Sequence, residues 1–357
     1  MNVRHLYVHL PFCARRCGYC DFVTAVGRRD QHGAYVDALL RELDEERHVL
    51  ADPLETVFLG GGTPTFTALP ELVRLLKALP PAAEVTVEAN PETVTVELAD
   101  ALRSAGVDRV SLGAQSFQTH LLRVLERHAG PEDVRRAFAL LRAAGFDNLS
   151  LDLIYGIPGQ TVADLEADLA AAIELGPEHL SCYELEAKPG TRFTHAHADE
   201  LARQGEAMED YFERVVATLT TAGYRWYETA NFCRDDRRAL HNLGYWLGHD
   251  YLGIGMGAVS TVGGERRRNT PRLARYLAGD YEREVETIDD DTHARERVLL
   301  GLRLDEPLPL AGLRHALDPA GLARVESLGL AAGGGDTLAL TERGRFLGDA
   351  VTAELLS

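Results

Sequence analysis

Residues 148–175 read NLSLDLIYGIPGQTVADLEADLAAAIEL and contain the unit that the rest of the chain repeats. In the first seven residues leucines alternate with polar residues before a final isoleucine, which is typical of a strand. Residues 162–175 have the apolar spacing of an amphipathic helix, and the glycines and proline before them favour a loop. This stretch therefore predicts one strand followed by a loop and a helix.

The same unit recurs on both sides of this stretch. Further strands are predicted at residues 6–9, 56–59, 84–89, 109–112 and 179–184, with amphipathic helices between them. Six such units in about 220 residues predict an α/β protein with a parallel sheet, because parallel strands need crossover connections. A doubly wound sheet and an open or closed barrel both fit this pattern.

The rhythm changes after residue 230. Residues 231–290 show little periodicity and are rich in Arg, Gly, Asp and aromatic residues, which predicts an irregular connecting region. Residues 291–357 contain helical stretches, a glycine-rich turn at 333–335 and a final helix over 341–356. Together they predict a small winged-helix-like domain. We therefore expect three domains, at 1–230, 231–290 and 291–357.

The charge of the chain argues against nucleic acid as a partner. The net charge is −18, and residues 291–357 carry ten acidic and seven basic side chains, so the winged-helix shape lacks a cationic face. The sequence contains no recognisable secretory signal and no apolar run long enough to cross a bilayer. We therefore expect a cytoplasmic protein without an integral membrane segment. A reducing compartment also makes disulfides unexpected among the five cysteines.

Three cysteines form the strongest chemical signal. Cys13, Cys17 and Cys20 give a C-x3-C-x2-C loop directly after the first predicted strand. Closely spaced thiolates hold iron–sulfur clusters, and three of them leave the fourth iron of a [4Fe–4S] cube open. A structural zinc site is the alternative, but it needs four protein ligands, and only His9 lies near enough in sequence. The other two cysteines are most simply buried small side chains.

Further polar groups stand at or after the predicted strand ends, where parallel sheets build their sites. The turn at 60–64, GGGTP, lets a backbone approach a ligand closely, although it lacks the Lys of a phosphate-binding loop. Taken singly, each of the charged or amide side chains is more often a cap or a solvated group. Together they indicate a ligand-binding site at this end of the sheet. The four side chains are Glu88, Gln115, Arg127 and Asp152.

The cysteine loop, with an aromatic residue before its last cysteine, resembles that of the radical S-adenosylmethionine (SAM) superfamily. The surrounding residues 7–22, YVHLPFCARRCGYCDF, narrow the resemblance to the branch of oxygen-independent coproporphyrinogen III oxidases and their relatives. It covers nearly the whole chain, with GGGTPT, VEANPE, SLGAQSF, LERH, LDLIYGIPGQT and HNLGYW in the family's order. It implies a parallel partial (β/α)6 TIM-type barrel followed by the smaller C-terminal domain.

The resemblance also implies cofactors. Cys13, Cys17 and Cys20 would hold a [4Fe–4S] cluster, whose open iron is chelated by the amino and carboxylate groups of SAM. The glycine turn would receive the methionine amino group, and an arginine suits the carboxylate as a bidentate partner. The positions carried over as SAM contacts are Tyr7, Tyr19, Gly61, Gly62, Thr63, Glu88, Gln115, Arg127 and Asp152.

Residues 241–246, HNLGYW, lie in the region of weak periodicity. In an unknown protein this sextet is most simply a packed aromatic cluster. It also matches the HNxxYW pattern of the heme chaperone branch, and the resemblance then implies heme binding by His241, Tyr245 and Trp246. Imidazole is a common axial ligand of heme iron, and aromatic rings suit the flat porphyrin face.

Two departures separate the branches. The oxidases extend the loop to C-x3-C-x2-C-x-C, where this chain has Phe22, and they carry a longer segment before the loop than the twelve residues found here. Both favour a radical-SAM-type heme chaperone that passes heme to an acceptor hemoprotein. The resemblance also implies a reductant such as flavodoxin or ferredoxin, and we expect a homodimer. The alternative is a coproporphyrinogen III oxidase that decarboxylates porphyrinogen propionates, so whether the chain is an enzyme stays open and no catalytic residue is assigned.

Overall fold

A computed structural model describes residues 2–188 and 192–356, and all structural statements concern these residues. The strands are β1 (His5–Leu10), β2 (Phe12–Cys13), β3 (Ala25–Val26), β4 (Leu54–Gly61), β5 (Ala82–Ala89), β6 (Arg109–Gln115), β7 (Leu149–Tyr155), β8 (His179–Glu184), β9 (Arg225–Glu228), β10 (Asn231–Cys233), β11 (Tyr251–Ile254), β12 (Val259–Val262), β13 (Glu265–Arg268), β14 (Glu284–Thr287), β15 (Leu308–Pro309), β16 (Ala331–Gly333) and β17 (Thr337–Leu340). The α-helices are α1 (His32–Glu46), α2 (Leu69–Ala78), α3 (Val96–Ser104), α4 (Thr119–Val124), α5 (Pro131–Ala143), α6 (Val162–Leu175), α7 (Arg192–Ala196), α8 (Ala198–Gly205), α9 (Met208–Thr221), α10 (Leu240–Trp246), α11 (Leu273–Leu277), α12 (Asp290–Gly301), α13 (Pro319–Ser327), α14 (Glu342–Phe346) and α15 (Gly348–Leu355).

The unit at residues 148–175 forms as its sequence predicts. Strand β7 runs into a turn in which the Gln160 side-chain oxygen accepts hydrogen bonds from the backbone of Gly156 and Ile157, at 2.7 and 3.3 Å. Helix α6 then begins at Val162 and is capped by Thr161, whose hydroxyl accepts a bond from the Asp164 amide while the Asp164 carboxylate accepts one from the Thr161 amide. This capping box satisfies two backbone groups that an uncapped helix would leave unpaired.

Twelve strands form one sheet in the order β14-β13-β12-β11-β1-β4-β5-β6-β7-β8-β10-β9. The six predicted strands are confirmed as a parallel series, β1 and β4 to β8, in chain order. A doubly wound sheet would reverse its direction of winding part-way. This series does not reverse, and in the described residues the edge strands β14 and β9 do not pair with each other. The architecture is therefore the partial TIM-type barrel.

The two sides of the sheet differ in polarity. Helices α1, α2, α3, α5 and α6 lie over the outer side and enclose one large apolar core with it. The inner side is polar. Buried Glu84 and Thr86 of β5 share this side, Val87 faces the opposite one, and Arg109 of β6 is also buried. Alternation along each strand places these polar side chains together inside the barrel.

The expectation of an irregular region at residues 231–290 is wrong in its secondary structure. Helix α10 and strands β11 to β14 occupy much of it, and β11 adds a seventh parallel strand beside β1. Strand β13 reads Glu-Arg-Arg-Arg, and none of its four residues is buried, so it carries no apolar alternation that would predict a strand. The division of the chain into three domains stays a prediction.

Residues 290–355 contain helices α12 to α15 and a three-stranded sheet in the order β15-β17-β16, which is the winged-helix-like arrangement expected. Buried side chains such as Val298, Leu308 and Leu338 give this part its own apolar core. The single final helix expected at 341–356 is two helices, α14 and α15, on either side of Leu347. No helix in the described part of the chain has the length and apolar character needed to cross a membrane.

Glu42 of α1 connects residues 251–287 to the barrel through hydrogen bonds. Its buried carboxylate accepts hydrogen bonds from the Gly255 amide at 2.9 Å and the Tyr276 hydroxyl at 2.7 Å. The other oxygen accepts bonds from Asn269 at 2.6 Å and Arg283 at 3.2 Å. Four groups spread over nearly 30 residues thus meet one side chain, so its loss leaves several buried donors unsatisfied.

We expect Glu42→Ala to lower the free energy of unfolding by roughly 3–5 kcal/mol, the cost of breaking a buried charge network. Urea denaturation followed by circular dichroism measures this change. Glu45→Ala, on the exposed side of the same helix, is the matched control and should change stability by less than about 0.5 kcal/mol. Equal stability of the two variants would show that Glu42 does not anchor the segment.

Candidate functional site

The cysteine loop lies at the carboxyl end of the parallel strands. Cys13 ends β2, and Cys17 and Cys20 follow in the loop, which closes where β2 pairs with β3. All three thiols are half-buried and line one cavity of about 520 Å³. Three soft donors therefore face a shared space, as a cluster site requires.

His9 holds this loop in place. Its Nε2 lies 2.8 Å from the Val23 carbonyl, which can only accept, so Nε2 carries the proton and Nδ1 accepts from the Tyr7 hydroxyl at 3.0 Å. Burial lowers the pKa of His9 to about 4, so the ring is neutral. The Val23 carbonyl and the Tyr7 hydroxyl thus orient the ring towards the loop backbone, and this arrangement gives no support to His9 as the fourth ligand that the zinc alternative needs.

The glycine turn after β4 is packed tightly against its own chain. A Cβ atom at Gly61 would lie 2.5 Å from the His9 ring, and φ there is +110°. A Cβ at Gly62 would lie 2.6 Å from the Pro11 carbonyl group and 3.0 Å from the sulfur of Cys13. The glycines thus let the turn approach the cysteine loop closely, in addition to any ligand.

Polar donors surround two of the sulfur atoms. The Thr63 hydroxyl lies 3.6 Å from Cys13 Sγ, and Arg127 Nη1 lies 3.8 Å from Cys17 Sγ. Asn90 connects the two donors, since it donates to Thr63 at 3.0 Å and accepts from Arg127 at 2.9 Å. These contacts place positive or hydrogen-bonding groups beside thiolates that would carry negative charge.

Two carboxylates form the acidic side of the cavity. Glu88, at the end of β5, accepts a bond from the Gly61 amide at 3.2 Å, and Asp152 of β7 accepts from the Ser111 hydroxyl at 3.0 Å. Burial and the nearby charge of Asp152 raise the pKa of Glu88 to about 7. Neighbouring carboxylates in this position favour a cationic ligand, such as a molecule with an ammonium and a sulfonium group.

Gln115 has a strained backbone beside the cavity. Its φ is +65°, and the pairing of β6 with β7 shifts register between Gly113 and Gln115. The next turn is held by Asp168 of α6, which accepts from the Ser116 hydroxyl at 2.7 Å and the Phe117 amide at 2.6 Å. Strain of this kind is maintained by surrounding contacts and clusters at functional sites.

The structure brings most of the predicted residues together. Eleven of the twelve predicted cluster and SAM positions line the cavity, and they are Cys13, Cys17, Tyr19, Cys20, Gly61, Gly62, Thr63, Glu88, Gln115, Arg127 and Asp152. Tyr7 is the exception, because it stands behind His9 and stacks on Phe58 at 6.2 Å between ring centres. Sequence reasoning missed Asn90, although its place in VEANPE, two residues after Glu88, was a usable signal.

The HNLGYW segment lies at the opposite end of the barrel. His241 of α10 is 1% exposed, with Nδ1 at 2.7 Å from the Thr56 hydroxyl and Nε2 at 2.9 Å from the Tyr245 hydroxyl. Thr56 stands near the amino end of β4, whereas the cysteine loop lies beyond the carboxyl ends. In this arrangement both nitrogens of His241 are occupied, and Trp246 packs under the Arg303 guanidinium at 4.5 Å.

Comparison with known proteins places the chain. The radical SAM superfamily matches residues 7–172. The heme chaperone HemW of Mycobacterium tuberculosis (strain CDC 1551 / Oshkosh) is 38% identical over 98% of this chain and 94% of its own length, and HemW of Escherichia coli K12 is 38% identical over 80% and 79%. The chain belongs to the HemW family of the radical SAM superfamily. The structure of E. coli coproporphyrinogen III oxidase, HemN, described as a radical SAM enzyme, is similar with a TM-score of 0.84 and 25% identity over 100% of this chain and 91% of that one.

The HemW-family chain fits the cofactors of its superfamily, a [4Fe–4S] cluster and SAM. The donor set is three cysteine sulfurs facing a cavity, and Phe22, which is 67% exposed at that cavity, supplies no further sulfur. When bound, a cluster on three thiolates offers one open iron to the amino and carboxylate groups of SAM. Thr63 and Arg127 would stabilise the thiolates, while Glu88 and Asp152 would face the cationic part of SAM.

We expect Cys13→Ala to lose the cluster, because two thiolates do not anchor a cube. Iron in anaerobically reconstituted protein should fall from about four atoms per chain to less than one, with loss of the visible absorption band. Cys233→Ala, a buried cysteine far from the loop in sequence, is the control and should keep both. Full iron content in Cys13→Ala would disprove the ligand assignment.

SAM binding should depend on the ionisation of Glu88. With a pKa of about 7, Glu88 is neutral below that pH and anionic above it, so its attraction for a cation grows as pH rises. We expect the Kd for SAM to be roughly tenfold weaker at pH 6 than at pH 8, and this difference to shrink in Glu88→Gln. Isothermal titration of cluster-loaded protein measures it, with exposed Glu97→Gln as the control. An unchanged pH profile in Glu88→Gln would refute the role.

Proposed function

We propose that this HemW-family protein binds heme and transfers it to an acceptor hemoprotein. The observation that carries the proposal is the 38% identity with a heme chaperone HemW over 98% of the chain. Phe22 supports it, since the oxidases that the cysteine loop resembles have a cysteine there. The radical-SAM apparatus would then support or regulate heme handling at one end of the barrel.

A large cavity between the barrel and the C-terminal part is a suitable place for heme. It has a volume of about 850 Å³, within the range that ligand and cofactor sites occupy. Phe212 and Phe346 supply aromatic walls, Leu299 and Leu302 supply apolar ones, and Arg345 is a nearby cation. The apolar and aromatic walls suit a porphyrin ring, and an arginine can pair with its carboxylates, while Glu184, Glu186 and Asp349 also line the cavity.

The HNLGYW segment is the second candidate place for heme. His241 would reach an iron only after the Tyr245 hydroxyl released Nε2, because that nitrogen is bonded in the present arrangement. Trp246 lies closer to the cavity, since the Arg303 side chain that covers its ring also lines the cavity wall. Heme binding by His241, Tyr245 and Trp246 thus requires these side chains to rearrange, whereas the cavity is already formed.

When hemin is added to anaerobically reconstituted protein, we expect the Soret band of the hemin to shift. Leu299→Glu should weaken this hemin binding by at least about tenfold. Leu299 is half-exposed at the cavity, so a carboxylate there is tolerated by the fold but opposes apolar contact and propionates. Leu328→Glu, at an exposed leucine outside the cavity, is the control and should bind as the wild type does. Absence of a Soret shift in the wild type would refute heme binding.

His241→Ala separates the two places. Normal binding by this variant together with weak binding by Leu299→Glu assigns heme to the cavity, and the reverse pattern assigns it to the HNLGYW segment. Transfer itself is measured by mixing heme-loaded protein with an apo-hemoprotein and following the acceptor's absorption. No transfer from loaded protein would leave heme binding in place but remove the chaperone role.

The oxidase alternative is supported by the predicted SAM contacts that line the cysteine-loop cavity and by the similarity to HemN. The same preparation, incubated with coproporphyrinogen III, SAM and dithionite, tests it directly. On the chaperone proposal no protoporphyrinogen IX forms, although SAM binds. Product formation at a catalytic rate would replace the chaperone proposal by an enzymatic one.

The remaining partners follow from the chemistry of the site. We propose that a flavodoxin or ferredoxin supplies electrons to the cluster, and that the protein works in the cytoplasm, where thiols stay reduced. We also propose a homodimer, which light scattering with and without bound heme would detect.

A further inference from the structure

Three side chains at the amino end of the barrel converge without a role in the proposed function. His5 begins β1, Glu55 stands near the start of β4, and His249 follows α10. His5 Nε2 lies 3.1 Å from His249 Nδ1 and 3.4 Å from Glu55 Oε2. Their ligand atoms all lie within 4.8 Å of one another.

These separations match the edges of a metal tetrahedron. Zn²⁺ binds histidine nitrogen and carboxylate oxygen at about 2.0–2.2 Å, which places neighbouring ligand atoms about 3.3–3.5 Å apart. The two separations measured from His5 are therefore already close to the bound geometry. Two imidazoles and one carboxylate are a donor set that first-row divalent cations prefer, and it leaves a position for water.

The surroundings allow an ion to enter and to be held. His5 is buried, whereas His249 and Glu55 are partly exposed, so the site opens towards solvent. Arg4 pairs with the Oε1 atom of Glu55, which leaves Oε2 directed at His5. The arginine thereby orients the carboxylate without occupying the oxygen that an ion would use.

His5 also has the hydrogen-bonded support that metal-binding histidines usually have. Its Nδ1 lies 2.9 Å from the Thr56 hydroxyl, which lies 2.7 Å from His241 Nδ1, and His241 Nε2 lies 2.9 Å from the Tyr245 hydroxyl. A metal on Nε2 of His5 requires the proton on Nδ1, which donates to Thr56. The Thr56 hydroxyl then donates to His241, and His241 donates to Tyr245, so one consistent set of tautomers fits the whole chain of contacts.

The backbone of α10 is fitted to the same histidine. A Cβ atom at Gly244 would lie 2.9 Å from the His5 ring, so only glycine allows the helix to pack there without displacement. The HNLGYW segment thus supports His5 in two ways. Gly244 packs against its ring, and His241 and Tyr245 extend the hydrogen-bond chain that reaches it through Thr56. This is a structural use of the segment that involves no heme.

We propose that His5, Glu55 and His249 bind one divalent cation of the Zn²⁺ type, with Thr56, His241 and Tyr245 as the supporting hydrogen-bond chain. Binding replaces the hydrogen bond between His5 Nε2 and His249 Nδ1 by two metal–nitrogen bonds, and His249 then carries its single proton on Nε2, so both ligands are neutral imidazoles. The site is separate from the cysteine loop, and it stands whether or not the protein carries heme.

Co²⁺ and Zn²⁺ are the probes, used on the full chain with its cluster already reconstituted so that the cysteines are occupied. We expect one additional equivalent of Co²⁺ with tetrahedral visible bands, displaced by Zn²⁺ in a calorimetric titration. His249→Ala and Glu55→Gln change partly exposed side chains and should each weaken binding at least about tenfold. His48→Ala, an exposed histidine elsewhere, should bind as the wild type does.

Thr56→Val tests the supporting chain, since it keeps the three ligands and the side-chain shape but removes the hydroxyl. Loss of such support typically lowers metal affinity 10–100-fold, and we expect a weakening of about tenfold. Circular dichroism without added metal confirms that each variant is folded. The proposal is overturned if the wild type binds no stoichiometric Co²⁺, or if folded His249→Ala and Glu55→Gln retain its affinity.

Discussion

The register of β1 between its two parallel neighbours determines both ends of the molecule. At the carboxyl end, Leu10 pairs with Gly61, which brings the cysteine loop beside the glycine turn. At the amino end, His5 pairs with Thr56 of β4 and with Tyr251 of β11, which brings α10 and His249 beneath the barrel. A slip of one residue would turn every inward side chain of β1 to the outer side, so both sites depend on this one alignment.

A polar barrel interior is stable here because its charges are arranged against one another. Arg109 is 2% exposed and lies 3.3 Å from His179, and its charge lowers the pKa of Glu84 and Asp152 against the effect of their burial. Burial prevails for Glu84, Glu88 and Asp152, whose pKa values are all raised, that of Glu88 to about 7. The barrel interior is therefore acidic near the carboxyl ends of the strands, where a cationic ligand would bind. The apolar core lies on the other side of the sheet, under the helices.

The sequence predicts what depends on spacing and periodicity, and it misses what depends on distant partners. The thiols of Cys13, Cys17 and Cys20 are close because only six residues separate the outer two, and the parallel strands carry a strong apolar pattern. The burial of His241 could not be foreseen, since its partner Thr56 is 185 residues away. Asn90 differs, since its motif gave a signal in the sequence, but its contacts with Thr63 and Arg127 arise only in the folded chain.

Tyr7 connects the two ends of the barrel physically. Its hydroxyl donates to His9, which holds the cysteine loop through Val23, and its ring lies 6.4 Å from that of His241. Adjacency alone is not energetic coupling, which needs two arrangements that both sites bias. It does identify the side chain that would have to move if the cluster loop and α10 changed together. Tyr7 is suited to this role because its hydroxyl is bonded to His9 on the side of the cysteine loop, while its ring packs near His241 on the side of α10.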